Sequence, residues 1–95
     1  MSEVETLNGL YQRKDSIETA PLQDDAILFH AEINRFCILN RTGSFIWSRL
    51  QSPVSPQQIA EEIAHEFRGV TVADALRDVR QALARFLDLE LVVTR

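Results

Sequence analysis

A chain of 95 residues with 45% hydrophobic and 25% charged side chains can bury one small core and hold one domain. Its net charge of −4 argues against sequence-independent binding to nucleic acid, which needs cations against phosphates, although nine of its ten basic residues are arginine. The single cysteine, Cys37, excludes an internal disulfide and fits a reducing, cytoplasmic setting, and no apolar run reaches the roughly 18 residues of a membrane span.

Residues 1–14 mix acids with Leu7, Leu10 and Tyr11 and carry no clear period. They hold no continuous apolar core of the kind a secretory signal needs. A mobile arm over 1–14, or a short docked helix, is expected, with the folded domain over 15–95. Ser16 to Leu22 alternates weakly and contains Pro21, which cannot donate to a ladder and so places this strand at an edge. Gln23-Asp24-Asp25 is a turn signal, a better account of the two aspartates than an acid–base pair.

The next strand is Ala26 to His30, followed by the four-residue loop Ala31 to Asn34 and a strand from Arg35 to Leu39. Pairing across that loop sets His30 opposite Arg35, Phe29 opposite Phe36, Leu28 opposite Cys37 and Ile27 opposite Ile38. One face then carries Ile27, Phe29, Phe36 and Ile38 and is expected to be the core side, so a polar residue at Phe36 should damage the fold. The opposite face, with Leu28, Cys37 and Leu39, is apolar too.

Asn40 is a natural cap for a first helix with Ile46, Trp47 and Leu50 inward, ended by Ser52-Pro53. Ser55-Pro56-Gln57-Gln58 spells a capping box with proline at the first helical position. Ile59, Ile63 and Phe67 line that second helix, Glu61, Glu62 and Glu66 point outward, and Gly69 stops it. A third helix runs from Thr71 to about Leu89. Its stripe of Val72, Leu76, Val79, Leu83, Phe86 and Leu87 is widened on one flank by Ala75, Ala82 and Leu89. The arc of roughly 160° exceeds what one neighbour requires, which is roughly 100°. The second neighbour is either another helix of the chain or a peptide. Leu91-Val92-Val93 is a short apolar tail that can pack or pair.

Little here suggests chemistry. Two histidines and one cysteine lack zinc spacing, Cys37 has apolar neighbours and no base, and the three glycines form no phosphate loop. A non-enzyme without metal or cofactor is expected. The sharper feature is an edge. The strand from Arg35 to Leu39 has no proline or lysine, whereas natural sheets usually blunt their edges. An open edge beside an apolar helix flank is what strand-addition recognition uses. Coverage by Leu91–Val93, by a dimer mate or by the N-terminal arm accounts for the pattern equally well. Arg77 and Arg80 on the third helix are either a solvated face paired to Asp74 or acceptors for acids in a bound peptide. Three strands and three helices also suggest a winged-helix DNA-binding regulator, but the third helix exposes Asp74 and Asp78, with Asp88 and Glu90 at its end. A structural dimerisation module is a further alternative.

The run Arg35-Phe36-Cys37-Ile38-Leu39-Asn40, then Gly43, then Ile46-Trp47, resembles the strand-to-helix segment of the PqqD-like family. Asp78-Val79, Phe86-Leu87 and Leu91-Val92 are similar to its last helix and tail, so the resemblance covers about residues 16–93. It is to the broad family. Where the quinone-cofactor branch has a Pro-Glu-Gly-like turn and a Cys-Asp-Gly-like helix end, this chain reads Ala31-Glu32-Ile33-Asn34 and Leu50-Gln51-Ser52. The resemblance implies an α+β, winged-helix-like domain, a three-stranded antiparallel sheet followed by three helices, that acts as a precursor-peptide recognition element. Such a domain binds the leader segment of a ribosomally made peptide, from a lasso or another pathway. It presents that peptide to a modifying enzyme such as a protease, cyclase or radical enzyme, with no nucleic acid or membrane as partner. By the same resemblance, backbone groups of Asn34, Arg35, Phe36, Cys37 and Ile38 pair with the leader. Leu76, Val79, Ala82, Leu83 and Phe86 shape an apolar floor, with Arg77 and Arg80 as acid contacts. The chain itself is expected to be a monomer or weak dimer.

Overall fold

The structure, a computed structural model, describes residues 9–95. Strands β2 (Glu18–Leu22), β3 (Asp25–His30) and β4 (Arg35–Leu39) form an antiparallel sheet in the order β2-β3-β4. Helices α1 (Arg41–Ser48, continued by a 3-10 turn at Arg49–Gln51), α2 (Pro56–Glu66) and α3 (Val72–Asp88) follow. A second, two-stranded sheet pairs β1 (Tyr11–Arg13) with β5 (Val92–Thr94). This is the expected mixed α+β architecture, with one sheet added.

That added sheet corrects the expected arm. Tyr11–Arg13 is a strand held between β5 and Val54, whose N–H and carbonyl both bond Tyr11. Residues 1–8, the rest of that expectation, lie outside the described residues. The turn into β5 explains the pairing. Glu90 adopts φ 59° after α3, Glu90 N–H donates to Leu87 O and Leu91 N–H to Phe86 O. This is the double bond pattern of a Schellman stop, with glutamate in the left-handed position usually given to glycine.

The hairpin register is as read from the sequence: Ile27 faces Ile38, Leu28 faces Cys37, Phe29 faces Phe36 and His30 faces Arg35. The buried face is the other one. Ala26, Leu28, His30, Cys37 and Leu39 are buried, while Phe36 is 69% and Ile38 63% exposed. Alternation separates two faces but does not say which is covered when both are apolar. The register of β2 carries the missing signal, because Glu18 lies opposite Phe29 and so marks that face as wet. Phe29 and Phe36 stack on each other outside the core, centroids 4.7 Å apart. Phe36→Ser is therefore expected to cost about 1 kcal/mol or less, the worth of one exposed aromatic pair. A urea melt checks this. A collapse of the unfolding midpoint would restore the original assignment of faces.

His30 is the one polar side chain in the core among the described residues, 1% exposed, and neither ring nitrogen has a hydrogen-bond partner among them. An unpaired buried polar group is destabilising. His30→Leu is expected to raise stability by about 1–2 kcal/mol, seen as a higher denaturant midpoint at unchanged slope.

The helix starts match the sequence signals. Ser55 Oγ accepts from Gln58 N–H at 3.1 Å and Gln58 Oε1 accepts from Ser55 N–H at 2.9 Å, completing the capping box. Thr71 Oγ1 accepts from Asp74 N–H at the head of α3. Along α3 the buried residues are Ala75, Val79, Leu83 and Phe86, one stripe at helical spacing, whereas Val72 and Leu87 are substantially exposed.

Candidate functional site

Hairpin geometry decides which backbone groups of the sheet are free. Leu22 and Asp25 close a two-residue turn, with φ 59° at Gln23, and so form a hydrogen-bonded pair. Hydrogen-bonded and open pairs alternate along an antiparallel ladder. Ala20 with Ile27 and Glu18 with Phe29 are then bonded, and Ala26, Leu28 and His30 turn their N–H and carbonyl groups toward β4. They meet Leu39, Cys37 and Arg35. Phe36 and Ile38 direct both backbone groups away from the sheet. On the opposite edge the outward residues are Thr19 and Pro21, and Pro21 has no N–H to offer. One edge is blunted and the other is bare.

Nothing among the described residues pairs with the outer side of β4. The tail expected as one possible cover, Leu91–Val93, runs into β5 and pairs with β1 instead. Asn34, with φ 54°, ends the loop ahead of β4, a backbone region that asparagine tolerates better than most residues.

Beside this rim lies a cleft of about 550 Å³. The end of β4 contributes Ile38 and Leu39, and α3 contributes Asp78, Gln81, Ala82, Arg85 and Phe86. Asn40, Thr42, Gly43 and Ile46 close it from the β4–α1 junction, together with Asp25. The junction is tight. Asn40 Oδ1 accepts from Gly43 N–H at 2.8 Å, and a Cβ on Gly43 would meet Asn40 Oδ1 at 3.3 Å and Leu39 Cβ at 3.4 Å. The Leu-Asn-x-x-Gly spacing is thus the cap that turns the bare strand into α1 and shapes one end of the cleft.

Of the residues singled out in the sequence, Ile38, Ala82 and Phe86 meet in this cleft. Asn34, Arg35, Phe36 and Cys37 continue the strand away from it, and Cys37 points its side chain into the core. Val79 and Leu83 are core residues, and Leu76 is partly buried against the core, so they back the helix rather than line its open flank. Arg77 and Arg80 are exposed and outside the lining; Arg77 sits 3.5 Å from Asp74 and 3.7 Å from Asp78. The arginine on the cleft is Arg85. Stepping along the helix from Ala82 by three residues forward and four back reaches Arg85 and Asp78, a spacing that the sequence itself carries. Burial pushes the Cys37 thiol above its ordinary value, with nearby Arg85 pulling the other way, so the group is a poor nucleophile. Among the described residues no three histidine, cysteine or acidic side chains are grouped to hold a metal ion, and no helix is long and apolar enough to cross a membrane.

A helix-backed three-stranded sheet with one bare edge opening on a cleft defines a class of small winged-helix-like α+β domains. The model of the family described as coenzyme PQQ synthesis protein D (PqqD) matches residues 25–92, and the chain belongs to that family. Two solved structures share the fold. One is TbiB1 in complex with the TbiA(beta) leader peptide, 27% identical, with 85% of this chain and 93% of that one covered at a TM-score of 0.74. The other is a lasso peptide synthetase B1 complexed with the leader peptide, 22% identical, with 87% and 96% covered at a TM-score of 0.75, a likeness of fold. No curated protein matches the chain.

Proposed function

We propose that this protein captures the leader segment of a ribosomally made precursor peptide and presents it to a modifying enzyme, with no chemistry of its own. The observation that carries the reading is the bare rim of Phe36 and Ile38 beside the cleft walled by Ala82 and Phe86. A peptide strand added there gains main-chain bonds from the rim and places alternate side chains in the cleft. The two structures of like fold both hold leader peptides, which supports the same occupant here. Asn34 to Ile38 supply the pairing strand, Ala82 and Phe86 the floor, and Val79, Leu83 and Leu76 hold α3 in position behind it. The enzyme served is of the protease, cyclase or radical class that acts on such precursors.

Ala82→Glu tests this. Ala82 is half-buried on the open flank of α3, so the fold should survive while a charge fills the floor. Titration with a fluorescently labelled precursor leader peptide that the wild type binds is expected to show at least tenfold weaker binding, about 1.4 kcal/mol. Undiminished affinity, with circular dichroism unchanged, would remove this cleft as the docking surface.

A further inference from the structure

The face of the three-stranded sheet turned away from the helices is apolar and uncovered among the described residues. Leu22 is 50% exposed there, beside the bare Phe36 and Ile38. The register places all three on one face with Ala20, Ile27 and Phe29. Together these side chains leave on the order of 400 Å² of apolar surface in water, the size at which a patch on a monomer marks a contact surface. The rim of the patch carries one sign of charge. Glu18 lies opposite Phe29 and Asp25 opposite Leu22, so an acid stands on this face at each end of the ladder. His30 and Arg35, the basic side chains of these strands, fall on the other alternation. Neither Glu18 nor Asp25 makes an ion pair among the described residues.

These charges discriminate between occupants. A second copy of the chain would dock through a twofold, self-complementary contact. Whichever way two such faces are stacked, an acidic end meets an acidic end. The patch is also about half of the roughly 800 Å² that each partner buries in a stable complex. A different protein, with basic residues around an apolar surface, complements the rim instead of opposing it. The captured strand makes up the missing area. Its side chains opposite Phe36 and Ile38 share their face, and the residues between them turn toward the cleft. A loaded chain therefore presents a wider patch than an empty one, continuous from β2 across to the peptide.

We infer that this face docks the modifying enzyme, through an apolar surface ringed by lysine or arginine on that enzyme, and that side chains of the captured segment form part of the contact. The inference rests on the strand-capture reading and adds the surface by which a loaded chain is told from an empty one. Binding is then reciprocal: the segment and the enzyme each tighten the other's hold on the chain by the same factor.

The test uses the whole chain, a precursor leader peptide that the wild type binds, and the purified enzyme that modifies that precursor. Leu22→Lys and Glu18→Arg alter the face on β2, two strands from the peptide rim, and both side chains are exposed, so the fold should survive. Leader affinity, read by fluorescence anisotropy, is expected within about twofold of wild type in both. Enzyme affinity of the loaded chain, read by calorimetry, should fall at least tenfold in Leu22→Lys. It should fall several-fold in Glu18→Arg, a loss that shrinks at high salt because a rim charge is screened. Wild type should hold the enzyme several-fold more tightly with the leader than without it. Native enzyme affinity in both variants, or equal affinity for loaded and empty wild type, would overturn the inference and leave strand capture standing. A wild-type dimer in light scattering that Leu22→Lys dissolves would overturn it in favour of a second copy. Leader binding undiminished by Ala82→Glu would remove the strand-capture reading and this inference with it.

Discussion

Ile38→Pro is expected to abolish peptide capture while the domain stays folded, and Cys37→Pro, one residue away, is expected to unfold it. The difference follows from the alternation along β4. The N–H of Ile38 faces outward and bonds nothing within the sheet, so proline there removes no native bond, and edge strands accept proline. The change deletes a donor that an added strand needs and puts a ring where that strand approaches. One lost main-chain bond is worth about 0.5–1.5 kcal/mol, and the steric block adds to it, so affinity should fall by well over tenfold. The N–H of Cys37 faces Leu28 in the interior pair. Proline at 37 leaves a buried carbonyl unsatisfied, about 1–3 kcal/mol, and also replaces a side chain packed in the core. Denaturant melts and peptide titrations on both variants read the two effects separately. Native affinity in folded Ile38→Pro would mean that the peptide does not pair with this rim.

This contrast also explains what could be read from the sequence and what could not. Local signals were legible wherever one short stretch determines the outcome. Ser55 and Gln58 cap each other within four residues, and the four-residue loop after His30 fixes the whole register of β3 on β4. The bare edge was legible for the same reason: Pro21 blunts one outer strand, and nothing in Arg35–Leu39 blunts the other. The buried face was not, because Phe29, Phe36, Ile27 and Ile38 outweigh Leu28, Cys37 and Leu39 in bulk. The helices nevertheless pack on the second set. Strand β1 was hidden more deeply. Three residues have no measurable period, and their partner lies at the far end of the chain, joined through the unusual Glu90 turn. The site was half visible. Ala82 stood out on the flank that makes the stripe of Phe86 too wide for one neighbour, whereas Arg85 and Asp78 are tied to the site only by the cleft that they line beside β4.

The largest stability loss from a single truncation is expected at Trp47. Its ring is 2% exposed and stands edge-on to Phe86 of α3, centroids 5.6 Å apart. Its Nε1–H donates to Thr19 Oγ1 of β2 at 3.1 Å, and the guanidinium of Arg13 in β1 lies 5.3 Å from the ring centre. One side chain on an eight-residue helix thus joins α3 to both sheets. Trp47→Ala should cost about 3–5 kcal/mol. A small domain has roughly 5–15 kcal/mol in total, with about 4–8 °C of melting temperature per kcal/mol, so a fall of about 12–40 °C is expected. Thr19→Val separates the hydrogen bond from the packing. It leaves Nε1–H without its acceptor and should cost about 1–3 kcal/mol. The functional consequence follows from Phe86, which rests on Trp47 with one part and lines the cleft with another. Below its lowered melting temperature, Trp47→Ala should therefore bind peptide more weakly than Thr19→Val does. Thermal melts followed by circular dichroism, with titrations run well below each transition, test both halves. A Trp47→Ala melting point within a few degrees of wild type would mean that the two sheets and α3 are held together without this residue.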